Sequence, residues 1–345
     1  MIRRSPRYGL RTSVLGILLV LGYYFLPWHR DDEVPVDLAS KVAPLKNSKA
    51  CIIPQSSERV VVSVKTGASE AAEKISALMS SSLRCVESVF LFSDLEQDVG
   101  EYHLYDALDT VPASMLSNNV DFEFYTKQRE LWQDGQDLTA LKGVKSPTDP
   151  DKLAAWSLDK YKFIRVLEKT WALKPDMDWY ILIDADTYLV WSNLLMWLDT
   201  MDPTKKSYFG SEVVIGSTRF AHGGSGIVLS NAIMKELVLN GAAERWDTKT
   251  QDNCCGDLVL SLALQEYGTI LQDAWPLMSG ERPSTMPFGP GTPEYWCHPA
   301  LSFHHLTPSD MIAFSKFEAN MMDRPVSERD ALWCCGGAIK LISII

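Results

Sequence analysis

Five apolar residues, Trp179-Tyr-Ile-Leu-Ile183, run directly into Asp184-Ala-Asp-Thr-Tyr188. A run this short, rich in aromatic and β-branched side chains and cut off by polar residues, predicts a buried strand rather than a helix. Asp184 and Asp186 stand at i and i+2, so on extended chain they project to one side, and Ala185 takes little room between them. Convergent carboxylates repel one another unless a cation sits between them. Oxygen donors favour Mg2+ or Mn2+ over Zn2+, and such an ion keeps positions that substrate phosphates fill. An Asp-x-Asp triplet also occurs by chance in solvated turns. Its place straight after a buried strand is what turns the reading toward a metal site.

Two earlier runs repeat the pattern. Val60–Val64 predicts a strand ending in Lys65, Thr66 and Gly67, and Val89–Phe92 predicts one ending in Ser93 and Asp94. Ala68–Met79 has helical spacing, and Trp156–Leu173 reads as one amphipathic helix carrying Trp156, Phe163, Ile164, Leu167 and Trp171 on its apolar face. Residues 127–153, with Gly135, Gly143, Pro147 and Pro150, read as a loop-rich insertion. Strands alternating with helices predict an α/β domain with a mostly parallel sheet. Ligands of such sheets bind beyond the carboxyl ends of the strands. All three predicted strands end there in groups able to ligate.

The N-terminus carries a different signal. Arg3, Arg4, Arg7 and Arg11 precede an apolar run from Val14 to Trp28. The run reaches the roughly 17 residues a spanning helix needs only with Thr12 and Ser13 included. It ends in Tyr23, Tyr24, Phe25, Leu26, Pro27 and Trp28, with no small-residue cleavage site, which argues against a cleaved signal peptide. The expected organisation is a cytosolic tail at 1–12, a signal-anchor helix at 13–28 and a lumenal remainder. A short span suits early secretory membranes, hence ER or Golgi. Residues 29–58 read as a stem, 59–325 as the catalytic domain and 326–345 as a tail. With 33 basic and 44 acidic side chains the net charge is −11, which argues against nucleic acid as a partner.

The Asp184–Tyr188 segment and the Leu-Val-Trp-Ser-Asn-Leu that follows resemble the metal-binding stretch of Fringe-like β1,3-glycosyltransferases, a group that includes the core 1 β1,3-galactosyltransferases. Further stretches match in the same order: Val61–Gly67, Leu158–Phe163, Phe220–Ser230, Cys255–Leu260 and Ser302–Leu306. The resemblance covers roughly 59–308 and is nearest to the fungal members. It implies a GT-A type, Rossmann-like domain that moves a hexose or N-acetylhexosamine from a UDP-sugar to a glycan or glycoprotein acceptor. It further implies Mn2+ (or Mg2+) as cofactor, inversion at the anomeric carbon and a β1,3 linkage. Asp186 becomes the more direct metal ligand, with Asp184 on the ribose or metal side. His304 or His305 becomes a third ligand; on extended chain these neighbours point opposite ways, so one of them is expected to reach the ion.

Asp257 becomes the general base, at the start of a helix made apolar by Leu258, Val259, Leu260, Leu262 and Leu264. An acidic residue there also serves simply as a cap. The family usually has an acidic residue just before this position, where Gly256 stands here. Gly223, Gly224 and Gly226 let backbone approach the donor, which is also what a plain turn would need. Lys65 or Lys160 is the candidate for phosphate charge, Thr66 lies beside Lys65 at the strand tip, and Asp94 is the candidate for uracil or ribose. Trp275, Pro287, Phe288, Tyr295 and Trp296 form a candidate acceptor cleft.

Seven cysteines leave at least one free or joined to a second copy, so a homodimer is admitted. The expected pairs are Cys51–Cys85 and Cys254 or Cys255 with Cys297. Two other functions compete with the transferase: a metal-dependent phosphohydrolase, which would need two metals and further carboxylates, and a non-catalytic glycan-binding module.

Overall fold

The computed structural model describes residues 51, 55–286 and 298–322, all within the unit Ala43–Ile345. The expected anchor, the cytosolic tail, nearly all of the stem and the tail at 326–345 lie outside the described residues. No helix among the described residues is long and apolar enough to cross a membrane.

Strand β1 (Val60–Lys65) leads through helix α1 (Ala68–Ser80) to β2 (Val89–Ser93), β3 (Gln97–Val99) and β4 (Tyr102–Asp106). Four helices follow, α2 (Ala113–Asn118), α3 (Phe122–Gln133), α4 (Ala154–Asp159) and α5 (Lys162–Leu173), and then β5 (Trp179–Asp184) and β6 (Tyr188–Leu189). Beyond α6 (Trp191–Leu198) come β7 (Tyr208–Gly210), the hairpin β8 (Glu212–Ile215) and β9 (Thr218–Ala221), and β10 (Ile227–Ser230). The remaining elements are α7 (Asn231–Leu239), α8 (Ala242–Gln251), α9 (Gly256–Gln265), β11 (Gln272–Asp273), β12 (Ser302–Phe303) and α10 (Pro308–Met322).

The main sheet has the order β11-β7-β10-β5-β1-β2-β4-β3. β1 pairs in parallel with β2 and β5, and β2 with β4, while β10 runs antiparallel between β5 and β7. The chain moves outward from β1 to β2 and β4, then returns to the other flank of β1 as β5. That reversal makes the β1/β5 boundary a topological switch point, where open α/β sheets bind ligands. The register sets Lys65 directly opposite Asp184 at the carboxyl ends.

Helices cover both faces of the sheet, so period-2 alternation sends the side chains of the two central strands into one core or the other. Val60, Val62, Val64, Trp179, Ile181 and Ile183 join the core under α1, α6 and α10. Val61, Tyr180 and Leu182 join the core under α5, α7 and α9. A second, two-stranded ribbon pairs β6 with β12, Tyr188 opposite Phe303. It carries the late histidine segment back to the end of β5.

Three sequence expectations change. Residues 122–133 form a helix, so the loop-rich stretch begins later than 127. Its buried face is Phe122, Phe124, Tyr125 and Gln128, and Gln128 donates to both the carbonyl and a carboxylate oxygen of Asp94, a tertiary contact that apolar periodicity does not reveal. The single helix over 156–173 is two helices broken at Lys160 and Tyr161, whose side chains both turn to Asp121. Trp156 is 45% exposed and so lies outside the apolar face assigned to it. Cys51–Cys85 is bonded as expected, but Cys254 is bonded to Cys255, which overturns a bridge from either to Cys297. Cys297 itself is outside the described residues.

Glu318, on α10, accepts a hydrogen bond from the Tyr188 hydroxyl and lies near Arg84. Burial pushes its carboxyl up to about 7, against the smaller pull of Tyr188 and Arg84. Between its ordinary value and about 7 the folded protein holds a proton that the unfolded chain has lost. This contribution is therefore full below about pH 4.5 and falls away as pH rises through 7. The loss is on the order of 3 kcal/mol. Glu318→Gln is expected to remove that slope and to leave the variant more stable than the parent at pH 7.5, measured by urea unfolding across pH 5–8. Parallel curves for the two proteins would contradict it.

Candidate active site at the strand tips

Asp184 ends β5, but Asp186 stands in the turn that follows rather than on the extended chain expected for the pair; both carboxylates still face His304. Each carboxylate already has a cation of the chain's own. Lys65 Nζ lies 2.6 Å from Asp184 Oδ1, and Lys74 Nζ lies 3.2 Å from Asp186 Oδ2. Convergent carboxylates at this tip are thus partly neutralised by lysine, and repulsion alone does not demand an ion. Burial would raise the Asp186 carboxyl, but His304 and Lys74 outweigh it and hold the group far below the usual carboxylate range.

The histidines arrive by the β6/β12 ribbon. Leu306 N–H donates to Asp186 O, and the Ser302 hydroxyl donates to Ser225 O, tying the segment to both the aspartate turn and the glycine segment. His304 is buried, with Nε2 3.2 Å from Asp186 Oδ1 and 3.8 Å from Asp184 Oδ2. Its Nδ1 has no partner among the described residues. The expectation that only one histidine faces the acidic pair rested on extended chain. His305 instead has φ 61, the left-handed region that non-glycine residues seldom adopt. The turn brings its ring to 3.7 Å from that of His304. Asp186, His304 and His305 each offer a ligand atom, all within 4.8 Å of one another. A single divalent ion can bridge that spacing.

Asp257 stands in the first turn of α9. One carboxylate oxygen accepts Gly223 N–H at 3.0 Å and the other accepts Leu258 N–H at 2.8 Å. Burial raises its carboxyl above the ordinary range, against the lowering pull of those two N–H groups. The glycine segment joins this carboxylate to the histidines. A Cβ on Gly223 would meet Phe163 at 2.8 Å, and one on Gly224 would meet the His304 ring at 2.1 Å. Two consecutive glycines therefore touch Asp257 on one side and pack against His304 on the other. Gly226 has φ 89, which only glycine adopts without strain. Gly256 is equally obligatory: a Cβ would meet Phe163 at 2.3 Å and Lys160 O at 2.6 Å. The acidic side chain expected there from the family pattern has no space in this fold.

Other predicted residues take supporting places. Lys65 is 4% exposed and held between Asp184 and Asp159, the latter at 2.7 Å. Burial would lower its ammonium, but these two carboxylates reverse the effect and raise it. Lys160 pairs with Asp121 at 3.0 Å and donates to Gln251 O and Asn253 O. Asp94 is fully buried, accepting Ala68 N–H at the start of α1. Thr66 is buried, and its carbonyl accepts from Lys162. Trp275 is 41% exposed; the other four proposed cleft residues, 287, 288, 295 and 296, are not described.

Asp159, Lys162, Lys74 and His222 were missed by sequence reasoning. Lys162 is 1% exposed and links Asp94 at 3.3 Å to Asp159 at 3.5 Å. The signal was charge inside the apolar face of α5, where a solvated lysine does not belong. Lys74 reads as an ordinary i,i+4 partner of Glu70. His222 accepts Ser225 N–H at Nδ1, and its ring centroid lies 5.4 Å from that of His304. Burial, and after it His304, lower its pKa below that of a free imidazole.

Among solved structures, a glycosyltransferase involved in the glycosylation of the major capsid of PBCV-1 is 12% identical, with 74% of this chain and 98% of that chain covered at a TM-score of 0.32, a likeness too distant to carry weight. The Fringe-like family model matches residues 55–274, well over half of the sequence and nearly all of the strands and helices that build the site. The chain belongs to the Fringe-like family.

Proposed function

We propose that this protein is an inverting glycosyltransferase that moves a hexose or N-acetylhexosamine from a UDP-sugar to a hydroxyl of an acceptor sugar, with β1,3 linkage, using Mn2+ and Asp257. Family membership supports glycosyl transfer. The observation that carries the rest is the glycine pair Gly223–Gly224, with the half-buried Asp257 carboxylate on one side and the Asp184, Asp186, His304 and His305 group on the other.

The donor set fits a divalent ion. Carboxylate oxygens favour Mg2+ and Mn2+, and imidazole nitrogen adds a softer donor that Mn2+ takes more readily than Mg2+. Asp186 and His304, with His305 or Asp184, would hold it. When bound, it would offset the charge of the departing diphosphate. The chain's own groups do the remainder. Lys65, fixed by Asp159, turns Asp184 so that Oδ2 faces His304. Each Asp257 oxygen accepts one backbone N–H and keeps a lone pair, so one can take the acceptor hydroxyl's proton. The acceptor oxygen then bonds to the anomeric carbon, and the bond from that carbon to the diphosphate oxygen breaks. A single displacement inverts the configuration. A raised Asp257 carboxyl is a stronger base than a solvated one. Insertion by a single N-terminal helix, with the catalytic domain lumenal in ER or Golgi, completes the proposal.

The decisive test is Mn2+-dependent turnover of a panel of UDP-sugars by the purified protein. Slow, donor-specific hydrolysis without acceptor is expected. Turnover of generic phosphate esters instead would indicate a phosphohydrolase, and sugar binding without turnover a non-catalytic module. Asp186→Asn is expected to abolish the Mn2+-dependent part of UDP affinity in calorimetry; unchanged affinity would remove it from the ligand set. Asp257→Asn is expected to keep donor binding and lose about 10²–10⁴-fold in kcat, the range of a positioned base. Transfer at the parent rate would exclude that role.

A further inference from the structure

Two lysines stand on the two aspartates of the site, and they differ in one respect. Lys65 is 4% exposed and clamped by Asp159 at 2.7 Å and Asp184 at 2.6 Å. Lys74 is 28% exposed and lies between Asp186 at 3.2 Å and Glu70 at 2.5 Å, both themselves partly exposed. Lys160, the other lysine singled out by sequence, is 11% exposed and committed to Asp121 and two backbone carbonyls. Of these three cations, only Lys74 combines contact with the aspartate pair and open surface.

The geometry points to Lys74 as the residue that binds the diphosphate of the nucleotide donor, in exchange for Asp186. This rests on the nucleotide-sugar reading above and names its phosphate ligand. Lys74 occupies Asp186 Oδ2 while His304 Nε2 faces Oδ1. Anything positive that takes Asp186 leaves this ammonium with Glu70 as the one carboxylate of the two still holding it. Its tether to Glu70, one helical turn earlier on α1, keeps it at the strand tips. A lysine ammonium is a compact charge with three donors on a flexible stem, so it turns to a new anion without moving the helix. Lys65 has no such freedom and stays with Asp184. The phosphate contact expected of Lys65 or Lys160 thus passes to Lys74, while Lys65 orients Asp184.

The test is calorimetry of the full protein with Mn2+ alone, with UDP in Mn2+, and with uridine. Lys74→Met is expected to weaken UDP about tenfold or more, the scale of a lost hydrogen bond to a charged group. Uridine binding should stay as in the parent, and Mn2+ alone should bind no more weakly, because a competitor for Asp186 is gone. Lys74→Arg should recover most of the UDP affinity. Equal UDP binding by Lys74→Met and parent overturns the assignment of this lysine alone. A matched loss of uridine affinity also overturns it, since that reports a disturbed site rather than a lost phosphate contact. If the parent binds no UDP in Mn2+, the nucleotide reading falls and takes this inference with it.

Discussion

Lys65 is the buried cation around which the site is organised. Its ammonium holds the tip of β5 through Asp184 and the end of α4 through Asp159. Asp159 in turn contacts Lys162, and Lys162 contacts Asp94, which caps α1. On the open side, Asp184 leads to His304, Asp186 and Lys74. Ionic groups of alternating sign therefore run from Asp94 at the first helix to Asp184, and Asp186 and Lys74 continue them at the rim, with the His304 imidazole between the two aspartates. A buried charge is costly unless paired, and each member of this series relieves its neighbours. Remove one and the next is stranded in low dielectric, so the whole series fixes the aspartate geometry.

Topology explains why the series sits where it does. The switch point between β1 and β5 leaves the two carboxyl ends open, since the connections leave in opposite directions. The parallel register then places a lysine opposite an aspartate. Helices over both faces bury everything below that edge, which excludes water from Lys65 and Lys162 and strengthens each ion pair. The helix α9, which carries Asp257, reaches the same edge because glycine at 223, 224 and 256 lets it, Phe163 and the His304 ring approach without a Cβ between them.

Much of this was legible residue by residue. The strands at β1, β2 and β5, the helix beginning at Ala68 and the helical setting of Asp257 all follow from short-range pattern. The α3 helix escaped because its buried face includes Gln128, a polar residue satisfied by Asp94 from a distant strand. The break at Lys160 escaped because Asp121, outside the window, captures both residues at the break. The assumption of extended chain at His304–His305 failed because a left-handed residue has no reliable signature unless it is glycine or asparagine.

The chain's composition and periodicity by themselves determined an α/β sheet with acidic and basic groups waiting at its strand ends; the histidine segment came only with the family resemblance. Only the tertiary structure decided how those groups are matched. Lys65 meets Asp159 across 94 residues, Lys74 meets Asp186 across 112, and Cys254 bonds to its own neighbour in place of a distant partner. The physical reason is that pattern reports which face of an element is apolar, whereas the pairing of buried charges depends on which other segment has been folded against it.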